Sequence, residues 1–310
     1  MEELNITGID SDLVDEKCAT IDKYLQLKKK KIAISVSVNE DLELLGFSEQ
    51  HLNDISIEIA RYIIANGGTA LYGGDLRING FTYYFSELAN FYKKNDDPSL
   101  RFINYFAPPN FKQLDRNALI EFKAKQIGVE KVDPGEGIVF DENAKYNPNT
   151  VVADRYLYAE CYKQMRIQMA KDSMARILVG GKSSNYLGYI PGVIEEALLT
   201  LRENKPVYLV GGFGGATLHL INLIKGADVN ELKNETQYNS NFLKSFQEFV
   251  KDKCKYSDFE NLKAEFEKCD LNKLSELNKL SVEENEILFS SKNIHEIVFL
   301  LMKGLKAIKS

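Results

Sequence analysis

Three times this chain runs from a short apolar stretch into a glycine turn and on to an amphipathic stretch. The turns are LYGGDLRING (71–80), LVGGKSSNYLGYIPGVIEEA (178–197) and YLVGGFGGAT (208–217). This order constrains the fold more than any other feature of the sequence. A buried strand, a tight turn and a covering helix, repeated, make a doubly wound parallel sheet. The sequence therefore predicts an α/β, Rossmann-like, mostly parallel sheet with helices on both faces and an additional helical segment. In such a sheet the strand-to-helix turns all open at one edge, outside the carboxyl ends of the strands.

The stretch 31–38 (KIAISVSV) is β-branched and almost wholly apolar, as a strand covered on both faces should be. A helix is expected over 48–66, with Ile55, Ile57, Ile59, Ile63 and Ile64 apolar and Gly67-Gly68 ending it. Strands are expected at 69–72, 101–106, 175–179 and 206–210, and helices from about Gly80 to Tyr92 and at 154–174, 193–203 and 216–225. Asp154 reads as the cap of its helix. Residues 110–150 read as an irregular excursion. These elements divide the chain into a polar tail with a short helix (1–30), an α/β domain that carries the three glycine turns (31–225), a charged helical insertion or extension (226–285), and a final strand, EILFSS, with a helix returning to the core (286–310).

The 310 residues carry 39 Lys and Arg against 45 Asp and Glu, a formal charge of −6. A net acidic chain is a poor general binder of nucleic acid. The N-terminus is too polar for a signal peptide, and no apolar run reaches the ~18 residues of a membrane span. Cys18, Cys161, Cys254 and Cys269 form no C-x-x-C pair and none neighbours a histidine. They read as reduced thiols of a cytoplasmic protein, with no metal site and no separate cofactor.

Glycine lets backbone N–H groups approach an anion, and a helix N-terminus adds free donors and partial positive charge. The candidate ligand-binding residues are Gly73, Gly74, Asp75 and Arg77 in the first turn, and Gly180, Gly181, Lys182, Gly192 and Glu195 in the second. The third turn supplies Gly211, Gly212, Phe213, Gly214 and Gly215, expected to cradle a phosphate. GGFGGA lacks the G-x-G-x-x-G spacing, and there is no P-loop.

Tyr72-Gly73-Gly74, the arginine in MRIQM (165–169) and the Gly192-Val193-Ile194-Glu195-Glu196 segment together resemble the SLOG superfamily. It groups the Lonely Guy phosphoribohydrolases with the nucleotide-sensing domains of TRPM channels and Thoeris anti-phage proteins. The resemblance covers about residues 31–225. It implies a catalytic role for Glu196 and for Arg166, the first as acid/base or ribose holder and the second as a phosphate grip. Asp75 replaces the third glycine of the enzymes' first turn, Val193 replaces a threonine, and residues 182–191 interrupt a segment that the enzymes run together. These departures imply a remodelled cradle and a different, larger ligand.

Other residues keep two readings. Tyr72, Tyr186 and Tyr189 either stack on a base or pack, and His219 reads as a packed residue of the last glycine helix. Three functions follow. One is a sensor of an NAD-derived nucleotide of the cyclic ADP-ribose type, in bacterial stress or anti-phage signalling, acting on a partner effector. Another is an N-glycosidase on nucleoside 5′-monophosphates. The third is a binding module whose charged helical region, 226–285, is the working surface. The resemblance implies a homo-oligomer, and neither nucleic acid nor membrane is expected as a partner.

Overall fold

The continuous apolar run of Lys31–Ser37 (β1) has no polar face to turn to water, so both its faces must be covered. In the computed structural model, which describes residues 25–77, 79–93 and 97–309, it lies in the middle of a sheet. Cys18 and most of the short amphipathic stretch ending at Leu27 fall outside the described residues.

The chain continues through helix Glu49–Ala65 (α1), strand Thr69–Gly73 (β2), helix Phe81–Phe91 (α2) and strand Phe102–Phe106 (β3). Two short helices, Pro108–Phe111 (α3) and Arg116–Ala124 (α4), lead to strand Ile127–Lys131 (β4). The long helix Val152–Asp172 (α5) carries the chain back to strand Ala175–Gly180 (β5). Helix Gly192–Arg202 (α6), strand Val207–Val210 (β6) and helix Gly215–Ile224 (α7) follow. The remainder is helical: Asn234–Gln237 (α8), Asn241–Val250 (α9), Phe259–Phe266 (α10), Leu271–Asn278 (α11), Val282–Ser290 (α12) and Ile294–Ala307 (α13).

The sheet order is β4-β3-β2-β1-β5-β6, and every pairing is parallel. The chain winds outward from β1 to β4, recrosses through α5, and winds outward again from β5. The reversal falls between β1 and β5, where Ile34 lies beside Ile177. A crevice opens at such a switch point. Side chains alternate across the sheet as a two-residue period requires. Ile32, Ile34 and Val36 pack under α1, α2 and α13, whereas Ala33 faces Cys161, Met165 and Met169 of α5. Leu178 and Leu209 pack under α6 and α7, and Phe246, Phe259 and Phe266 of the later helices extend that same core. Each such side chain, fully buried, is worth about 1.5–3 kcal/mol.

The parallel sheet and its covering helices follow the expectation, with boundaries moved by a residue or two. Three details differ. Residues 127–131 form a strand where an irregular excursion was expected. β4 is an edge strand, buried at Ile127 and Gly128 but exposed at Glu130 and Lys131, so it has no continuous apolar run. EILFSS is the end of helix α12, not a strand. Its start is fixed by a capping box, in which Ser281 Oγ accepts from the Glu284 N–H at 3.2 Å and Glu284 accepts from the Ser281 N–H at 3.0 Å. Asp154 is not the cap of α5, which begins after Val151; its carboxylate accepts from the Asn147 N–H at 2.7 Å instead.

Among the described residues no helix is long and apolar enough to cross a membrane, and no group of His, Cys, Asp and Glu could hold a metal ion. Cys161, Cys254 and Cys269 are buried free thiols. Burial pushes Cys161 and Cys254 up to about 12, so neither is a nucleophile at neutral pH.

Candidate functional site

The carboxyl ends of β1, β2 and β5 enclose a pocket of about 300 Å3. From β1 come Ser35 and Ser37, and from the first glycine turn Gly73, Gly74, Asp75 and Arg77. The α5 helix presents Arg166 and Tyr162, and the second turn with its helix presents Lys182, Gly192, Val193 and Glu196.

In the first turn glycine is needed for close approach. A Cβ on Gly74 would stand 2.8 Å from the Phe106 ring, and one on Gly73 would stand 3.0 Å from Met165. The Gly74 N–H already donates to the Tyr105 carbonyl at 2.8 Å. Asp75, a residue of unfavourable sign beside an anion, is neutralised by its neighbour: Arg77 donates to its two oxygens at 2.9 and 2.8 Å. Burial works to raise the Asp75 pKa, but the hydrogen bonds and charge of Arg77 outweigh it and hold the carboxyl below its ordinary value. A carboxylate depressed in the fold contributes stability above its unfolded pKa and loses it as pH falls through the folded one. The turn is therefore expected to stay closed at neutral pH and to loosen only in acid below the ordinary aspartate range. An NMR titration of the Asp75 carboxyl with its midpoint at or above the ordinary aspartate value would contradict the pairing.

Behind the pocket lies a cluster of four buried charges. Arg166 of α5 donates through Nη1 to Glu195, whose other oxygen accepts from the Tyr256 hydroxyl at 2.9 Å. Arg176 of β5 donates through Nη1 to Glu196 and to Ser35 Oγ, both at 2.9 Å, and through Nε to Thr200 at 2.8 Å. The Ser35 hydroxyl donates a further hydrogen bond to Glu196. Glu195 and Arg176 are fully buried, so each charge must find its partner inside the protein. Burial opposes the charge on Arg166, yet Glu195 and then Glu196 outweigh it and hold the guanidinium above its ordinary pKa. For Arg176 burial prevails over Glu196, and the pKa is lowered. Arg166 Nε lies 3.6 Å from Glu196, beyond hydrogen-bond reach, and among the described residues it has no hydrogen-bond partner. Tyr72, buried against this cluster, is raised well above its ordinary value by burial and then by Asp75 and Glu196.

The N-terminal turn of α6 faces the same pocket through Gly192 and Val193. The first amides of a helix have no intrahelical partner and are natural anion donors. Gly192 leaves room for Arg166: a Cβ there would stand 2.6 Å from Nη2. Lys182 is exposed at the rim, with its N–H anchored on Ser37 Oγ at 3.0 Å. Gly180 and Gly181 have positive φ, +62° and +102°, their carbonyls are taken by Thr217 and by the Ala216 N–H, and neither is among the pocket's lining residues.

The third turn is set apart. A Cβ on Gly211 would stand 2.3 Å from the Phe289 carbonyl oxygen, and one on Gly212 would stand 2.1 Å from that of Ser291. The Gly215 N–H at the start of α7 already donates to Asp41 Oδ2 at 2.7 Å. Gly211, Gly212, Phe213, Gly214 and Gly215 are not among the pocket's lining residues, and the anion at this helix start is a side chain of the protein itself.

Thus the structure brings Gly73, Gly74, Asp75, Arg77, Arg166, Lys182, Gly192 and Glu196 together, and places Glu195 one layer behind as the partner of Arg166. Tyr186 also lines the pocket, while Tyr189 is wholly buried in the core. His219 is packed, as expected, with Nδ1 2.9 Å from Ser183 Oγ. Sequence reasoning missed Ser35, Arg176 and Tyr256. Arg176 had a signal: a lone charge within ARILVG, a strand buried along its whole length.

A family model described as SLOG cluster2 matches residues 26–288. A comparison with the curated proteins finds no match. The matched span takes in the whole sheet, the pocket and most of the helical segment beyond α7, and on that match the chain belongs to the SLOG superfamily.

Proposed function

We propose that the chain binds a phosphate- and ribose-bearing nucleotide in the pocket at the carboxyl ends of β1, β2 and β5, and that it acts as a sensor of that ligand. One observation carries this reading: Arg166, Lys182 and the N-terminal turn of α6 meet the Glu196 carboxylate in a single pocket. Cations and helix amides suit a phosphate, and a carboxylate acceptor suits a ribose diol. This moves the phosphate from the third glycine turn to the second. The ligand is of the NAD-derived, ADP-ribose class, sensed in the cytoplasm during bacterial stress or anti-phage signalling. The response passes through a homo-oligomer or to an effector partner.

A second reading, N-glycosidase action on a nucleoside 5′-monophosphate, has one observation in its favour, the presence of Glu196 in the pocket. The sensor reading is preferred because Glu196 Oε2 is taken by Ser35 and Arg176. Oε1 is left to accept from a ribose hydroxyl, and an acid/base group must instead be free to exchange its proton.

Mass spectrometry of the nucleotide that co-purifies tests the binding claim, and incubation with AMP and with NAD, followed by product analysis, separates the two readings. Lys182 is exposed, so Lys182→Ala is expected to leave stability unchanged and to weaken nucleotide binding by about tenfold or more, the worth of a charge-assisted hydrogen bond. Unaltered affinity in that variant would remove the phosphate from this rim. Base release from AMP that disappears in Glu196→Gln would establish the enzyme instead.

A further inference from the structure

On the other side of the 182–191 loop lies a second cavity, of about 420 Å3. Its walls are that loop, the first turn of α5 at Arg155, and the α8–α9 segment. The volume falls within the roughly 300–1,000 Å3 of small-molecule sites.

Its chemistry differs from that of the first pocket. There Arg77, Arg166 and Lys182 outnumber Asp75 and Glu196, which leaves an excess positive charge. In the second cavity Arg155 and Glu231 cancel, so nothing draws in a phosphate. Four carboxamides line it, those of Asn149, Asn185, Gln237 and Asn239. A carboxamide carries a donor and an acceptor together, the pairing that reads the edge of a nucleobase, and that of Gln237 is already engaged by Tyr186, Ser183 and Glu231. Tyr186, Tyr238, Phe242 and Phe246 add aromatic surface for a flat ring. Arg155 is only 6% exposed, and among the described residues its Nε has no hydrogen-bond partner.

We propose that this cavity is a second binding site, for an uncharged nucleoside, and that it is coupled to the first pocket through the loop between them. Asn185 and Tyr186 line both cavities. Gln237 lines the second cavity and also fastens the loop: it accepts from the Tyr186 hydroxyl at 2.8 Å and donates to the Ser183 carbonyl at 2.9 Å. Arg155 holds the loop from the other side through the Tyr186 carbonyl. A nucleoside that engages the Gln237 amide competes with these bonds and shifts the shared wall. The binding of one ligand then changes the affinity for the other, typically by about 5–150-fold.

The chain has no tryptophan, so Phe242→Trp places a single tryptophan, excited selectively near the red edge of tyrosine absorption, in the cavity wall. Titration of this full-length variant with adenosine is expected to give a saturable fluorescence change whose midpoint inorganic phosphate shifts to a limiting value, without displacing adenosine one for one. Calorimetry on Asn239→Trp, where an exposed side chain is enlarged into the cavity, is expected to show adenosine binding weakened at least tenfold at an unchanged melting temperature, with phosphate binding intact. Gln237→Ala is expected to reduce the effect of adenosine on phosphate affinity. The proposal is overturned if adenosine fails to saturate up to about 1 mM, if phosphate displaces it one for one, or if Asn239→Trp binds it normally. The adenosine arm is read independently of whether phosphate binds, so failure of the first-pocket reading would show separately.

Discussion

Replacing Arg166 by methionine is expected to cost about 3–5 kcal/mol of stability and to abolish nucleotide binding in the same step. The methionine fills much of the space but leaves Glu195, fully buried, with the Tyr256 hydroxyl as its one remaining side-chain hydrogen-bond partner among the described residues. An uncompensated buried carboxylate is the costly outcome, more so than the loss of the ion pair as such. The double variant Arg166→Met, Glu195→Leu removes both charges and is expected to recover most of the stability, though not the binding. Urea denaturation of the three proteins reads both numbers. If the double variant were no more stable than the single one, the pair would not be the unit that the geometry makes it. Loss of binding in the stable double variant would then show that Arg166 acts on the ligand as well as on the fold.

The reason the fold was legible lies in β1, β5 and β6, whose apolar runs admit no half-exposed arrangement. Where a strand is half exposed, as at β4, the local signal disappears, because Glu130 and Lys131 look like loop. EILFSS shows the opposite failure: a β-branched residue and two apolar neighbours suggested a strand, but the capping box seven residues before Leu288 decided for helix. In the site, Arg166 and Glu196 were legible through a motif. Arg176 was not, since its partners Ser35, Glu196 and Thr200 come from other elements and only the folded sheet assembles them. The glycine turns divide in the same way. Local sequence says that a backbone must turn or come close there; it does not say whether a ligand or another part of the chain fills the space. For Gly211 and Gly212 the neighbours are carbonyls of Phe289 and Ser291, far along the chain.

That distinction makes Gly214 the most informative position. From sequence, Gly214→Val is expected to block a ligand while leaving the fold cooperative, provided that Gly214 does not also need positive φ. The structure shows that this condition is not met. Gly214 sits at φ +69°, ψ −154°, a backbone region open in practice to glycine alone, and a Cβ would stand 2.7 Å from Asp41 Cβ. The strained backbone costs about 1–3 kcal/mol, and overpacking against Asp41 costs about 1–3 kcal/mol more. Asp41 would also be pushed off the Gly215 N–H that it caps, exposing the start of α7. Gly137 supplies the control, because it too has positive φ, +75°, but nothing lies within 4 Å of its Cβ position. Gly137→Val should therefore show the cost of a positive φ without a clash, and Gly214→Val a larger loss, with a correspondingly lower urea midpoint. A Gly214→Val protein with a wild-type midpoint that had lost only its nucleotide would return the phosphate to the third turn, and the assignment to α6, Arg166 and Lys182 would fall.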